Sequence, residues 1–194
     1  MNVRNKWSIG IALSIAVTVV LLASSSASAQ KLAKSIEIQA QAMGQAQQLG
    51  QNFNVTLRIE EFSSADDQKA LLEAFNQKGN EGLTNALDKM HSKGRMQITG
   101  TLGYEVTYIR QWTEPDGSTK YRLVTDRPIT FGEAWSDSRS MDYSISGVEI
   151  IISADKKKRT GTLFPLVKLK LNKENHIELE TYQNPWKLVD VLLR

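Results

Sequence analysis

From Phe53 to Glu60 apolar and polar residues alternate without a break, with Phe53, Val55, Leu57 and Ile59 on one side and Asn54, Thr56, Arg58 and Glu60 on the other. A period of two matches the pleat of a β-strand that buries one face and wets the other. The pattern returns in Tyr104, Val106, Tyr108 and Trp112, in Tyr121, Leu123 and Thr125, and in Val148, Ile150 and Ile152. It returns again in Leu163, Pro165, Val167, Leu169 and Leu171, and in Ile177, Leu179 and Thr181. The last strand reads either as Trp186, Leu188 and Leu192 or as Val189 and Val191. Pro115-Asp116-Gly117 has hairpin-turn chemistry, and Asn184-Pro185 makes a bend. Pro165 lacks an amide donor, so its strand is expected to be an edge or to bulge there.

Two short helices are expected between the first strand and the rest. Ser64 and Asp67 have the spacing of a capping box, ahead of Leu71, Leu72 and Phe75 on one helical face, and Gly79 supplies a left-handed stop. Asn80 is placed to cap a second helix, with Leu83, Ala86, Leu87 and Met90 at three- and four-residue steps and Gly94 after it. The expected fold class is therefore α+β: an N-terminal strand, two short helices, then a curved antiparallel meander or partly closed barrel of six to seven strands.

The N-terminus reads as an export leader over residues 1–29. Arg4 and Lys6 precede an uncharged run from Trp7 to Ala23, and Ala27-Ser28-Ala29 supplies the small-x-small cleavage pattern, so the mature chain is expected to begin at Gln30. The alternative is a retained inner-membrane anchor, since the apolar run approaches the length of a span. Residues 30–51, rich in Gln and Ala, are expected to form a tether or frayed helix, followed by a single domain over 52–194. The whole chain carries 24 basic and 21 acidic residues, and losing Arg4 and Lys6 leaves 22 against 21. A domain so close to neutrality has no global field to draw it to nucleic acid, and no stable membrane insertion is expected after cleavage. With no cysteine, lipidation through a cysteine and disulfides are excluded.

Chemistry-bearing patterns are sparse. Only His91 and His176 are present, in different elements, and no glycine-rich phosphate loop or G-x-S-x-G elbow occurs. No metal or cofactor is expected. The richest polar segment runs from Asp126 to Tyr143, and its candidate binding residues are Asp126, Arg127, Glu133, Trp135, Asp137, Arg139, Asp142 and Tyr143. Long loops of this kind carry binding work, and two convergent carboxylates would make a hydrolase or isomerase the alternative. The Lys156-Lys157-Lys158-Arg159 run reads as a solvated turn with a secondary capacity for polyanions.

The stretches Leu123-Val124-Thr125-Asp126-Arg127-Pro128-Ile129, Arg139-Ser140-Met141-Asp142-Tyr143, Gly161-Thr162-Leu163-Phe164-Pro165 and Thr181-Tyr182-Gln183-Asn184-Pro185 resemble a group of exported bacterial proteins that has no assigned activity. The resemblance spans roughly residues 53–191 and implies a bacterial origin and a periplasmic or secreted location. It implies no reaction, cofactor or ligand set. The expected role is a non-enzymatic module binding an apolar small molecule or an envelope protein, with structural service in the envelope as a third alternative.

Overall fold

The computed structural model describes residues 31–129, 145–172, 177–181 and 184–194. Within them the chain forms β1 (Lys31–Met43), β2 (Asn52–Glu61), α1 (Ala65–Lys89), β3 (Gly94–Ile98), β4 (Tyr104–Thr113), β5 (Thr119–Thr125), β6 (Ile145–Ile152), β7 (Arg159–Leu171), β8 (Ile177–Thr181) and β9 (Trp186–Leu193). The strands make one nine-stranded sheet in the order β6-β5-β4-β3-β2-β1-β9-β7-β8, and β6 also pairs with β7. That extra pairing closes eight antiparallel strands into a barrel and leaves β8 as an addition to β7.

The expected α+β meander of six to seven strands is thereby corrected to a closed, mostly β architecture. The first reason lies in residues 31–43, which are a strand and not a tether or frayed helix. Ile38, Ala40 and Ala42 face the core at 0–7% exposure, while Glu37, Gln39 and Gln41 face out. Alanine at inward positions suits a crowded interior but produces a weak apolar signal, which hides the period of two. Without β1 the sheet cannot close, because β1 bridges β2 and β9.

The second reason is that a single helix replaces the expected pair. Ser64 and Asp67 do form the capping box, with Asp67 N–H donating to Ser64 Oγ at 3.0 Å and Ser64 N–H to Asp67 Oδ2 at 2.7 Å. Lys78 and Gly79 leave helical geometry, Gly79 at φ 59°, but the chain bends and resumes instead of ending. Asn80 follows this kink, and its Oδ1 does not cap the second half but accepts the Leu169 N–H of β7 at 3.1 Å.

Three bulges divide the apolar residues between two cores. In β4 the register shifts between Val106 and Tyr108, so Tyr104, Val106 and Ile109 enter the barrel and Tyr108 faces outward beneath α1. One extra residue reverses the parity of everything after it. In β7 the shift falls at Pro165 and Leu166, between the pairings of Phe164 and Val167; Leu163 lies in the barrel and Val167 and Leu169 lie outside it. In β9 Asp190 takes φ 50°, and Trp186, Leu188 and Val191 become the inward set, mixing the two rows read from sequence. Inside the barrel Trp186 packs on Phe53 at 4.7 Å between ring centroids, among Tyr104, Tyr121, Met96 and Ile150, all at most 7% exposed apart from the half-buried Phe53. Eight strands give an interior that side chains fill, and here large apolar ones occupy it.

Outside, α1 contributes Leu71, Leu83 and Leu87 to a second core with Tyr108, Val124, Ile145, Val167, Leu169 and Ile177. The β7–β8 hairpin leans on the same wall: a Cβ at Gly147 of β6 would lie 2.5 Å from a Leu179 methyl group of β8, so a larger residue there would have to push that side chain aside. A polar outer row and an apolar filling are the sidedness of a barrel in water, opposite to one facing lipid.

The start of α1 is fixed by a buried cation. Lys93 is fully buried, and its Nζ donates to Glu61 Oε1 at 2.9 Å and lies 3.0 Å from Asp67 Oδ2 and 3.3 Å from His91 Nε2. Its backbone joins the barrel too, donating to Val106 O at 2.8 Å and accepting from Glu60 and Glu61 N–H. The Lys93 hydrogen bond holds the Glu61 carboxyl below its ordinary value of 4.5. Burial pushes Asp67 up, but the Ser64 amide and Lys93 outweigh it and leave that carboxyl below 3.8.

Replacing Lys93→Met is expected to cost about 3 kcal/mol at neutral pH, because two partly buried carboxylates lose their counter-ion. Both groups have depressed values in the folded state, so their contribution is present above about pH 4.5 and is lost as pH falls through the lowered values. Urea unfolding of wild type and variant from pH 7 to pH 3 should therefore show a gap that narrows in acid. A gap that stays constant or widens would show that Lys93 does not act through these carboxylates.

Candidate functional site

Of the residues singled out in sequence, Asp126 and Arg127 lie in the described structure. Glu133, Trp135, Asp137, Arg139, Asp142 and Tyr143 lie outside the described residues, as does His176. Asp126 and Arg127 leave the end of β5 in a tightly tied turn. Thr125 Oγ1 donates to Arg127 O at 2.7 Å, and Ile129 N–H donates to Ser146 Oγ at 2.6 Å. Arg127 sends Nη2 to Gly103 O at 2.9 Å and sits over the Tyr104 ring at 5.4 Å, so it pins the β3–β4 turn. Asp126 Oδ1 is buried without a hydrogen-bond partner among the described residues, and burial pushes its carboxyl up against the pull of Arg127. A raised carboxyl suits a general acid. One such group makes no acid–base pair, and among the described residues no cluster of three His, Asp or Glu side chains gathers to hold a metal.

A better-formed site lies on the outer wall of β4 and β5. The β4 bulge turns Tyr108, Arg110 and Trp112 outward, and in the β4–β5 register Arg110 faces Arg122 and Trp112 faces Lys120. The hairpin is fixed by its turn: Gly117 at φ 80°, Gly117 N–H to Glu114 O at 2.9 Å, and Ser118 N–H to Asp116 Oδ1 at 2.9 Å. The end of the β7–β8 hairpin brings Asn172 and Glu178 to the opposite side of a cleft of about 270 Å³.

Cations surround the indole at its floor. Arg122, Lys120 and Arg110 lie 5.1, 5.5 and 5.7 Å from the Trp112 ring centroid. Carboxylates hold two of them in place. Lys120 pairs with Glu114 at 2.9 Å, and Arg122 pairs with Glu149 at 2.6 Å while also donating to Ile177 O of β8. Trp112 Nε1–H donates to Glu114 at 2.9 Å. The Lys120 and Trp112 hydrogen bonds hold the Glu114 carboxyl below its ordinary range. Burial raises the Tyr108 phenol beside Arg110, whose charge and hydrogen bond oppose the rise. The cleft thus displays both signs of charge, with an aromatic floor and pre-ordered side chains, and among the described residues it brings no nucleophile next to a base.

Compared with known protein families, with curated proteins and with solved structures, the chain matches none. The cleft escaped the sequence reading because Trp112 shares parity with Tyr104 and Val106 until the bulge intervenes. A signal was present: Arg110, Trp112 and Glu114 repeat every second residue opposite Lys120 and Arg122, a row too charged for the core.

Arg122 links the barrel wall to β8 through Glu149 and Ile177 O. Arg122→Ala is expected to destabilise the protein by about 2 kcal/mol, since Glu149 loses a charge-assisted bond. Amide exchange should accelerate over Ile177–Thr181 more than in β1–β3. Uniform acceleration across the sheet would contradict a local anchoring role.

Proposed function

We propose that this is an exported bacterial binding module without catalytic activity, which engages a protein partner of the envelope through the Trp112 cleft on the outside of the barrel. The observation that carries the reading is the division of the molecule. Large apolar side chains occupy the interior where a barrel would hold a small apolar ligand, and the aromatic surface with preset charges lies on the outer wall. About 270 Å³ falls just below the range of small-molecule sites, which run from roughly 300 to 1,000 Å³. It suits one or two side chains of a partner, with Trp112 and the two arginines as the kind of anchor that dominates interface energetics. Paired charges of both signs around the ring favour a partner segment of mixed charge, because a uniformly charged one would leave ions unpaired.

Export is supported by the leader pattern of residues 1–29, and cleavage after Ala29 would keep every described residue of β1, Lys31–Met43. Intact mass of the mature protein is expected to correspond to a chain starting at Gln30, with or without cyclisation of that glutamine. Recovery of the full-length chain alone, held in the membrane, would favour the anchor.

For the cleft, a photo-crosslinking residue in place of Asn172 in the exported protein should trap one dominant envelope protein. Affinity for that partner, once purified, should fall about tenfold or more in Trp112→Ala and weaken with added salt. An unchanged affinity in a folded Trp112→Ala protein would remove the cleft from the binding surface.

A further inference from the structure

Each strand of the closed barrel is hydrogen-bonded to a neighbour on both sides, and among the described residues β8 alone has a single partner. Which of its backbone groups are left over follows from β7. The register sets Leu169 opposite Leu179, yet the Leu169 N–H donates to Asn80 Oδ1 on the far side of β7. Leu169 and Leu179 are therefore a non-hydrogen-bonded pair. Bonded and non-bonded pairs alternate along an antiparallel ladder, so Lys168–Glu180 and Lys170–Glu178 carry the bonds between the two strands. The N–H and C=O groups of Ile177 and Leu179 then point away from β7. Ile177 agrees with this parity, since its carbonyl accepts from the Arg122 guanidinium.

This edge opens on the Trp112 cleft. Arg122 and Glu178 both line the cleft, and Arg122 reaches the edge itself at Ile177 O. The Leu179 side chain packs on Gly147 of the barrel wall, which holds β8 in place from beneath. The alternate residues, Glu178 and Glu180, lie on the opposite face. Glu180 pairs with Lys170 at 2.5 Å, while the exposed Glu178 accepts from a neutral group, Asn172 Nδ2, at 3.1 Å. The pattern disfavours self-pairing: an antiparallel copy of β8 centred on Leu179 would set Glu178 against Glu180 twice, and like charges directly opposite are destabilising. It favours a strand with basic residues at those two positions.

We infer that the partner of the Trp112 cleft presents an extended segment that adds to β8 as a further strand, bonding the outward N–H and C=O of Leu179 and carrying Lys or Arg opposite Glu178 and Glu180. The inference rests on the reading of the cleft as a protein-binding site and specifies the conformation and charge of what binds there. A row of outward backbone donors and acceptors is matched by another extended backbone, whose main-chain bonds supply affinity while its alternate side chains supply selection. A helix has no such row to offer, because its backbone groups are bonded within it. Followed past Ile177, the edge leads to Arg122, so a segment laid along it continues over the cleft and places its next side chains beside Trp112.

The test is amide NMR of the mature protein, titrated with the acetylated and amidated heptapeptide Thr-Val-Lys-Val-Lys-Val-Thr, whose central valine faces Leu179 and whose lysines face the two glutamates. In the free protein the Leu179 amide should exchange with solvent about tenfold faster than those of Glu178 and Glu180, which are bonded to β7. The peptide should shift the Leu179 amide saturably at millimolar concentration and slow its exchange. Methylating the central valine nitrogen removes one backbone donor and leaves every side chain in place, and it should weaken binding about tenfold, as should glutamate in place of both lysines. The inference is overturned if the Leu179 amide is already as protected as its neighbours, if the heptapeptide leaves it unmoved, or if either modified peptide binds as well as the parent. These failures differ from failure of the cleft. An unmoved Leu179 amide, with partner affinity still lost in Trp112→Ala, removes the edge and keeps the cleft; a responding Leu179 amide, with partner affinity unchanged in Trp112→Ala, removes the cleft and keeps the edge as a strand-binding site.

Discussion

Barrel closure through β1 is the constraint on which the rest depends. The strand is bonded to β2 along one edge and to β9 along the other, and Glu37 exchanges both backbone hydrogen bonds with Arg194 at the end of the seam. Remove it, and β2 and β9 become the two open edges of a sharply curved sheet whose apolar face meets water. Open edges of that kind template aggregation, and closure is the means that abolishes them. The small inward residues Ala40 and Ala42 make closure compatible with the volume of Trp186 and Phe53 on the neighbouring strands. A strand built of alanine and glutamine is stable here because its partners supply the apolar bulk.

Closure fixes what the three bulges can do. In a barrel each residue points either to a filled interior or to the outside, so a single inserted residue exchanges the two for the remainder of the strand. In β4 the exchange delivers Tyr108 to the helix and Arg110 and Trp112 to the cleft; in β7 it lets one strand begin as barrel wall and end as the hairpin that roofs the cleft. In β9 it presents Asp190 outward. The bulges thus convert a symmetrical closed sheet into one with distinct outer surfaces.

This also explains which parts were legible in sequence. The rows Val55-Leu57-Ile59 and Val148-Ile150-Ile152 are regular, and both lie in the interior as their period implies. The capping box at Ser64 and the irregularity at Pro165 rest on local chemistry, which neighbours in space do not alter. What failed depended on parity and partners: β1 had too little apolar contrast, Trp112 was assigned to the core side, and the β9 rows were offered as alternatives when the bulge uses both. Asn80 looked like a helix cap because its partner, Leu169, is far off in sequence. Asp126 and Arg127 were read as candidate binding residues from the polar run; the structure shows Arg127 bonded to Gly103 O of the β3–β4 turn, a partner 24 residues away in sequence.

The charged layer on the outer wall is coupled to the fold. Lys93 holds the start of α1 to the barrel through Glu61 and Asp67, and Arg122 holds β8 to β5 through Glu149 and a backbone carbonyl. Both ties rest on partly buried ions, whose value depends on each keeping its partner. The same coupling orders the cleft: Lys120 and Arg122 are already paired with carboxylates before anything binds, so a partner that replaces one of those pairings has little side-chain entropy left to overcome. The barrel therefore keeps its interior for stability and presents an outer wall ordered by charge.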